Sequence, residues 1–447
     1  MSEEEKTIEI EDALKSVLDR MKEIIDSENV PLALSYGRVL AEKITAPFPV
    51  PSFPKSAMDG YAVKSSDVAS ASVDAPVSLE VVGERLAGAV LESDVVLDDN
   101  SMVSGTGGMV FKTNDLAPED NGVVTEGMVS ETLSYGRQGS AVRIMTGAAI
   151  PVGYDAVVRQ EDTDYGEDKV MIYKGVQPYA NYCKVGEDIK KGESVLEPGS
   201  RIGRVEAGVI ASLGFAEVKV RRKLRVGIIS TGSELREVGT PLTEGSIYNS
   251  ISYTIMGALA SPCFEVESRI CSDDADEIKA ALENALHSSD VVITTGGVSV
   301  GKKDLLPEVL DEIGATKLFK GVNIQPGTPT IGSIKDGKFI LSLSGNPFAA
   351  LVNFDLYFWP VAAKLLGSKA FLPIVKKGIL SSEYGKVSYR RRMLRAKLEE
   401  DRVYLPEKCH ASSVLSNLLN CNCYIDVPAD TRLKVGDIVT VRMMPSL

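Results

Sequence analysis

The chain has 447 residues, too many for one ordinary hydrophobic core, and its length suits about three domains. With 44% hydrophobic and 25% charged residues it has the composition of a soluble globular protein. A net charge of -13 argues against a general nucleic-acid surface, and no apolar run approaches the ~18 residues of a membrane span. The start, MSEEEKTIEI, lacks the basic and apolar regions of a secretory signal. Cys183, Cys263, Cys271, Cys409, Cys421 and Cys423 are scattered, which suits a reducing cytoplasm. Cys421-x-Cys423, near Cys409 and His410, has the wrong spacing for a zinc pair and reads as small buried hydrophobes.

In chain order, Ile10, Leu14, Val17, Leu18, Met21, Ile24 and Ile25 predict a helix over 8–26 with one buried face. A second helical stretch, 33–45, follows Pro31. Pro47, Pro49, Pro51 and Pro54 then stop regular structure and place a boundary near 46. Between 61 and 182 the pattern is β, with strands at Val77–Val82, Ala141–Met145, Asp155–Gln160 and Val170–Tyr173. Inside this region, 88–140 is rich in Asp, Gly, Ser and Val. Its glycine cluster at 104–109 opens no helix and reads as a loop.

Helical spacing returns at 204–213, and α/β units follow. Leu224–Ser230 is a buried strand ending in Thr231-Gly232-Ser233-Glu234, and Tyr248–Leu259 is a helix. Glu265–Ile270 is a strand, and Ser272-Asp273-Asp274 caps a helix over 275–287. Val291-Val292-Ile293 is a strand, then a helix spans 304–313 with Pro307 in its first turn. Phe339–Leu343 ends in Ser344-Gly345-Asn346-Pro347 before a helix over 348–366. This alternation implies a parallel sheet whose ligands sit at the carboxyl ends of the strands. From 371 the pattern is β again, with strands at Val387–Leu398, Arg402–Leu405, Tyr424–Val427 and Ile438–Met443. Arg390, Arg391, Arg392, Arg395 and Lys397 form a basic strip that reads as a solvated strand face.

Strand, glycine turn and helix start, as in Val291–Asp304, is the order by which α/β proteins build anion sites. Gly296 to Lys302 also meets the spacing of a phosphate-binding P-loop. The next residue is Lys303, however, where that motif needs a Ser or Thr hydroxyl for magnesium.

Six stretches, in order, carry a resemblance. Ser56-Ala57-Met58-Asp59-Gly60-Tyr61-Ala62-Val63 resembles the SAMDGYAV signature of the molybdopterin molybdenumtransferases, the MoeA and gephyrin E-domain family. Arg143-Ile144-Met145-Thr146-Gly147-Ala148 is similar to its RIMTGA segment, and Gly186-Glu187-Asp188 to its GED motif. Ser230-Thr231-Gly232, the 296–301 turn and Gly345-Asn346-Pro347 resemble its binding-domain turns.

The resemblance implies a helical linker domain from 1–46 and 185–222, an inserted β domain over 47–184, an α/β molybdopterin-binding domain over 223–370 and a C-terminal β barrel over 371–447. It implies a cytoplasmic, magnesium-dependent homodimer that inserts molybdate into adenylylated molybdopterin and releases AMP. The molybdopterin adenylyltransferase is then a candidate partner, and no nucleic acid or membrane is involved. A paralogue that binds the pterin without inserting metal is the alternative.

Matched residue by residue, the family's acids fall on Asp59, Asp188, Glu234, Asp273 and Asp304, with Asp59, Asp273 and Asp304 as metal ligands. Substrate would meet Thr146, Thr231, Gly232, Gly296, Gly297, Ser299, Gly345, Asn346 and Pro347. Carboxylates facing molybdate and phosphate need a bridging cation, and magnesium takes oxygen ligands of both kinds.

The chain departs from the family at several points. Ser233 stands for an Asp, Asn249 for an Asp, Ile251 for an Asn, and Ser344 opens the last turn. The lysines of the family's KPGKP segment are Gln325 and Thr328 here. Each lysine would be worth ~4 kcal/mol against a contacting phosphate at an effective dielectric of about 20. Losing both is expected to weaken binding of the usual ligand unless Lys302, Lys303 or Lys320 substitutes.

Overall fold

A computed structural model describes residues 7–88, 136–298, 305–407 and 410–445. The 104–109 cluster, Ser299, Lys302, Lys303, Asp304 and Cys409 lie outside them. The chain divides into two compact units. One comprises Ile44–Val195 with Ser212–Gly214, and the other Met1–Lys43, Leu196–Ala211 and Phe215–Leu447.

The first unit is built on a five-stranded sheet in the order Ala156–Arg159, Gly60–Val63, Ser140–Ile144, Val77–Arg85 and Lys169–Ile172. All four residues of Gly60–Val63 are buried, because apolar side chains cover both faces of this sheet. A Cβ on Gly60 would collide with the Val158 carbonyl oxygen, so glycine is required where these strands cross most closely.

The second unit holds a six-stranded sheet ordered Phe264–Cys271, Leu224–Thr231, Val291–Thr295, Lys338–Leu343, Ile331–Lys335 and Thr316–Lys320. The first four strands are parallel, as expected. The last two join antiparallel, so the sheet is mixed rather than purely parallel. Val226, Ile228, Ile293 and Leu341 pack beneath the helix Pro347–Leu366. On the other face, Ile229, Val292 and Ile340 meet Ile278, Leu282 and Val309 of helices Ala275–Ser288 and Leu306–Glu312. Pro347–Leu366 has the length and apolar composition of a membrane span, but 89% of its window is buried inside the protein. It is a core helix whose Phe354, Phe358 and Trp359 pack with ring centroids 4.8 to 5.8 Å apart.

Five C-terminal strands close a ring: Arg391–Glu399, Arg402–Tyr404, Val375–Leu380, Ile438–Met443 and Cys423–Val427, the last pairing back to the first. Closure removes the free strand edges. The two-residue strand Ile324–Gln325 joins this barrel to the α/β layer.

Two helical expectations fail. The helix predicted over 8–26 spans only Ile10–Leu18, because the chain then turns so that the Ile24 amide reaches the Leu365 carbonyl at 2.7 Å. The stretch 33–45 is not helical. Gly37 has φ +77°, and the amides of Gly37, Leu40 and Ala41 bond to Ile202, Ser200 and Lys219 instead. Tertiary partners override a local pattern that isolated propensity favours.

Candidate functional site

Three parallel strands end at one edge of the α/β sheet, and their turns meet there. Thr231-Gly232, Gly296-Gly297 and Ser344-Gly345-Asn346 follow Leu224–Thr231, Val291–Thr295 and Lys338–Leu343. The Gly296 amide donates to the Leu343 carbonyl at 3.0 Å, and the Thr231 hydroxyl to the Thr295 carbonyl at 3.3 Å. Gly296 has φ +90°, and a Cβ on it would collide with the Thr231 carbonyl, so only glycine fits. A Cβ on Gly345 would lie 3.7 Å from the Gly296 Cα, and one on Gly297 3.2 Å from the Thr231 hydroxyl. The turns therefore form one shelf of bare backbone. Asn346 precedes the Pro347–Leu366 helix, where Pro347 fits because the first turn has no partner for its N–H.

Two predicted acids stand on the rim of this shelf. The Glu234 carboxylate covers Gly232, where a Cβ would meet Oε2 at 2.7 Å. The Asp273 Oδ2 accepts the Ser233 amide at 3.0 Å, and the Asp273 amide donates to the Ser233 hydroxyl at 3.3 Å. Asp273 does not cap the following helix. Asp274 does, accepting from the Glu277 amide at 3.0 Å. Beneath the shelf runs a hydroxyl chain. Thr295 Oγ1 donates to Ser230 Oγ at 3.1 Å, which donates to Asn249 Oδ1 at 3.3 Å. Asn249 is 3% exposed and starts the Ser250–Ala258 helix, so a neutral amide spares that site a buried charge.

Beside the shelf lies a cavity of about 280 Å³ lined by Thr328, Ser344, Asn346, Tyr389, Arg390 and Ser412, among others. Arg390 Nη1 donates to Thr328 Oγ1 at 2.6 Å, and its guanidinium lies 5.1 Å over the Tyr389 ring. The Phe348 amide donates to the Ser412 carbonyl at 3.0 Å, which holds the barrel loop against the helix start. Arg390, rather than Lys320, supplies the charge of this cavity. Nor is the basic strip a solvated face. Arg391 pairs with Asp426 at 2.6 Å and Glu11 at 2.7 Å, and Arg395 is fully buried, donating to the Val414 and Ala411 carbonyls. Cys423 is buried and Cys421 partly so. Burial pushes the Cys423 thiol up to about 12.

In the other unit, Asp59 and Thr146 come together from positions 87 apart. Asp59 Oδ1 accepts the Thr146 amide at 2.7 Å and its hydroxyl at 2.8 Å. The amide bond first, and the hydroxyl bond second, hold the Asp59 carboxyl below its ordinary range. Gly147, at φ +83°, turns the chain so that its amide reaches the Ser56 carbonyl at 2.8 Å. Asp188 is exposed on a turn whose amide reaches the Val50 carbonyl at 3.0 Å, and no hydrogen bond joins it to Asp59 among the described residues. Among those residues no three His, Cys, Asp or Glu side chains gather into a metal-holding group. Arg390, Tyr389 and Ser412 are not singled out by the sequence as site residues, since nothing local marks a residue just before a strand whose partner lies 62 positions away.

A glycine-shelf α/β layer carrying a closed barrel, in a chain whose other unit is built on a β sheet, defines a multidomain α/β and β class of protein. Residues 8–214 match the MoeA N-terminal region (domains I and II), 227–364 a probable molybdopterin binding domain, and 377–443 the MoeA C-terminal region (domain IV). The chain belongs to the MoeA family. It is 35% identical to the molybdopterin molybdenumtransferase of Staphylococcus epidermidis over 456 residues, covering 100% of this chain and 98% of that one. The Bacillus subtilis molybdopterin molybdenumtransferase is 33% identical, covering 97% and 93%. The crystal structure of the molybdopterin biosynthesis MoeA protein of Pyrococcus horikoshii OT3 superposes with a TM-score of 0.77 at 29% identity, covering 98% and 100%.

Proposed function

We propose that this chain is a transferase of molybdenum cofactor biosynthesis that inserts molybdate into adenylylated molybdopterin and releases AMP. The observation that carries this reading is the fused shelf of Thr231, Gly232, Gly296, Gly297, Gly345 and Asn346, with Glu234 and Asp273 on its rim. Glycine backbone without side chains leaves room for the oxygens of a pterin phosphate to approach, and the helix start beside Asn346 favours negative charge. The Arg390 cavity suits a small oxyanion, held by one guanidinium and the Ser344 and Ser412 hydroxyls. In the α/β unit Asp273, with Asp304, offers oxygen donors of the kind magnesium takes, and Asp59 of the other unit offers a donor of the same kind. The ion would offset repulsion between carboxylates and phosphate. Asp59, kept ionised by Thr146, contributes a fixed negative charge, and Asp188 completes the acidic set.

The reading extends to a cytoplasmic homodimer that receives its pterin from the molybdopterin adenylyltransferase, with Ser299 as a further hydroxyl donor. Its domains are 1–46 with 185–222, 47–184, 223–370 and 371–447. A second reading, a carrier that binds the pterin without inserting metal, draws on the neutral Gln325 and Thr328 beside Arg390.

Complementation of an insertase-deficient strain separates the two. Growth dependent on a molybdoenzyme with the intact chain, lost with Asp59→Asn, supports insertion. Soluble expression of the intact chain without growth favours the carrier.

A further inference from the structure

One end of the barrel gathers cations that no acid answers. Lys386, Arg390 and Arg392 make no ion pair with any described residue, whereas Arg391 between them is taken by Asp426 and Glu11. The Arg392 guanidinium lies 5.1 Å over the Tyr384 ring, and its Nε is buried without a hydrogen-bond partner. His410 presents itself edge-on to the same ring, with centroids 5.6 Å apart at 81°, and its Nδ1 is likewise buried and unpartnered. A buried polar group left unpaired costs about 1–3 kcal/mol, so a hydrogen-bond partner at this place, water or ligand, would stabilise it. Burial first, then the charges of Arg395, Arg392 and Lys386, push His410 down to about 4, so the imidazole is neutral near pH 7. Among the described residues the charges that shift it are all positive, in a chain whose net charge is -13.

We propose that Arg392, His410 and Lys386, around the Tyr384 ring, form a phosphate-binding subsite at the mouth of the barrel. The guanidinium fork matches two phosphate oxygens, and the neutral imidazole donates one hydrogen bond through whichever nitrogen carries its proton. Lys386 closes the open side as a point charge. Arg390 and Ser412, which line the cavity beside the glycine shelf, each lie two residues from a member of this cluster. The subsite is therefore a neighbour of that cavity and separate from it. It does not depend on molybdenum transfer.

The test uses the full chain and inorganic phosphate. His287 and His410 are its two histidines, so their imidazole NMR signals are readily told apart with His410→Gln. Phosphate is expected to move the His410 signal saturably, with Kd of about 1 mM, and to leave His287 in place. Arg392→Gln should weaken binding about tenfold, and Lys386→Gln, an exposed change that cannot unfold the barrel, about threefold. Arg390→Gln should leave it within about twofold. Glycerol 3-phosphate runs alongside. Binding of either ligand supports the subsite, and the tighter one tells free phosphate from a monoester. A His410 signal unmoved by both ligands overturns the proposal. So does wild-type affinity in Lys386→Gln and Arg392→Gln, or a larger loss from Arg390→Gln than from Arg392→Gln.

Discussion

Asp59 and Asp355 each accept two short hydrogen bonds, yet their carboxyl pKa values shift in opposite directions. Asp59 takes both from Thr146 on an open turn and is held below its ordinary pKa. Asp355 takes one from Trp359 Nε1 at 2.9 Å and one from the Tyr424 hydroxyl at 2.7 Å. Burial outweighs those bonds and pushes it up to about 6. Solvent access, rather than the number of donors, decides the direction in which each carboxyl shifts. Both Thr146 bonds end on Oδ1, which leaves Oδ2 of Asp59 for a ligand. Asp355 has no such spare face and instead ties the long helix to the barrel strand that carries Tyr424.

The comparison can be broken most forcefully at the shelf. Gly296→Ala places a Cβ against the Thr231 carbonyl at φ +90°, and should cost about 3 kcal/mol or more in denaturant unfolding. A loss under about 1 kcal/mol would show that the turns are not fused. Next comes Asp355. Its ordinary pKa is 3.8 and its folded value about 6, a difference of about 2 units or about 3 kcal/mol. The native state prefers the protonated acid, so this stabilisation is complete below pH 4 and is lost as pH rises through 6. The stability of Asp355→Asn relative to wild type should accordingly rise by up to about 3 kcal/mol between pH 4 and 7. A flat difference over that range would remove Asp355 from the account.

Smaller effects sharpen the two ends. Arg390→Gln should raise the Kd for molybdate, read by calorimetry, about tenfold, or about 1.4 kcal/mol. An unchanged Kd would move the oxyanion elsewhere. Thr146→Val keeps the amide bond to Asp59 and removes the hydroxyl bond. The acid limb of the activity profile should shift to higher pH, because the ionised Asp59 is then lost earlier as pH falls.

The shelf was legible in the sequence because each turn is local. Buried runs such as Val291-Val292-Ile293 announce strands, and the glycines that follow leave few other backbone geometries. The joining of Asp59 to Thr146 was legible only as paired motifs of a known family, since no spacing rule links positions 87 apart. The antiparallel strands Thr316–Lys320 and Ile331–Lys335 stayed hidden because they are short and interrupted by Lys and Gly. The cavity wall stayed hidden for a different reason. Arg390, Arg391 and Arg392 are consecutive and chemically alike. Only the packed fold assigns one to a cavity, one to Asp426 and one to the Tyr384 ring.

The most direct measurement is AMP release by the purified full chain supplied with adenylylated molybdopterin, as molybdate is raised, for wild type beside Asp59→Asn. We expect saturable, molybdate-dependent release that falls about 100-fold in the variant, the scale of removing one preorganised electrostatic group, with unfolding unchanged. Release that ignores molybdate, or equal release from a folded Asp59→Asn, would contradict the account.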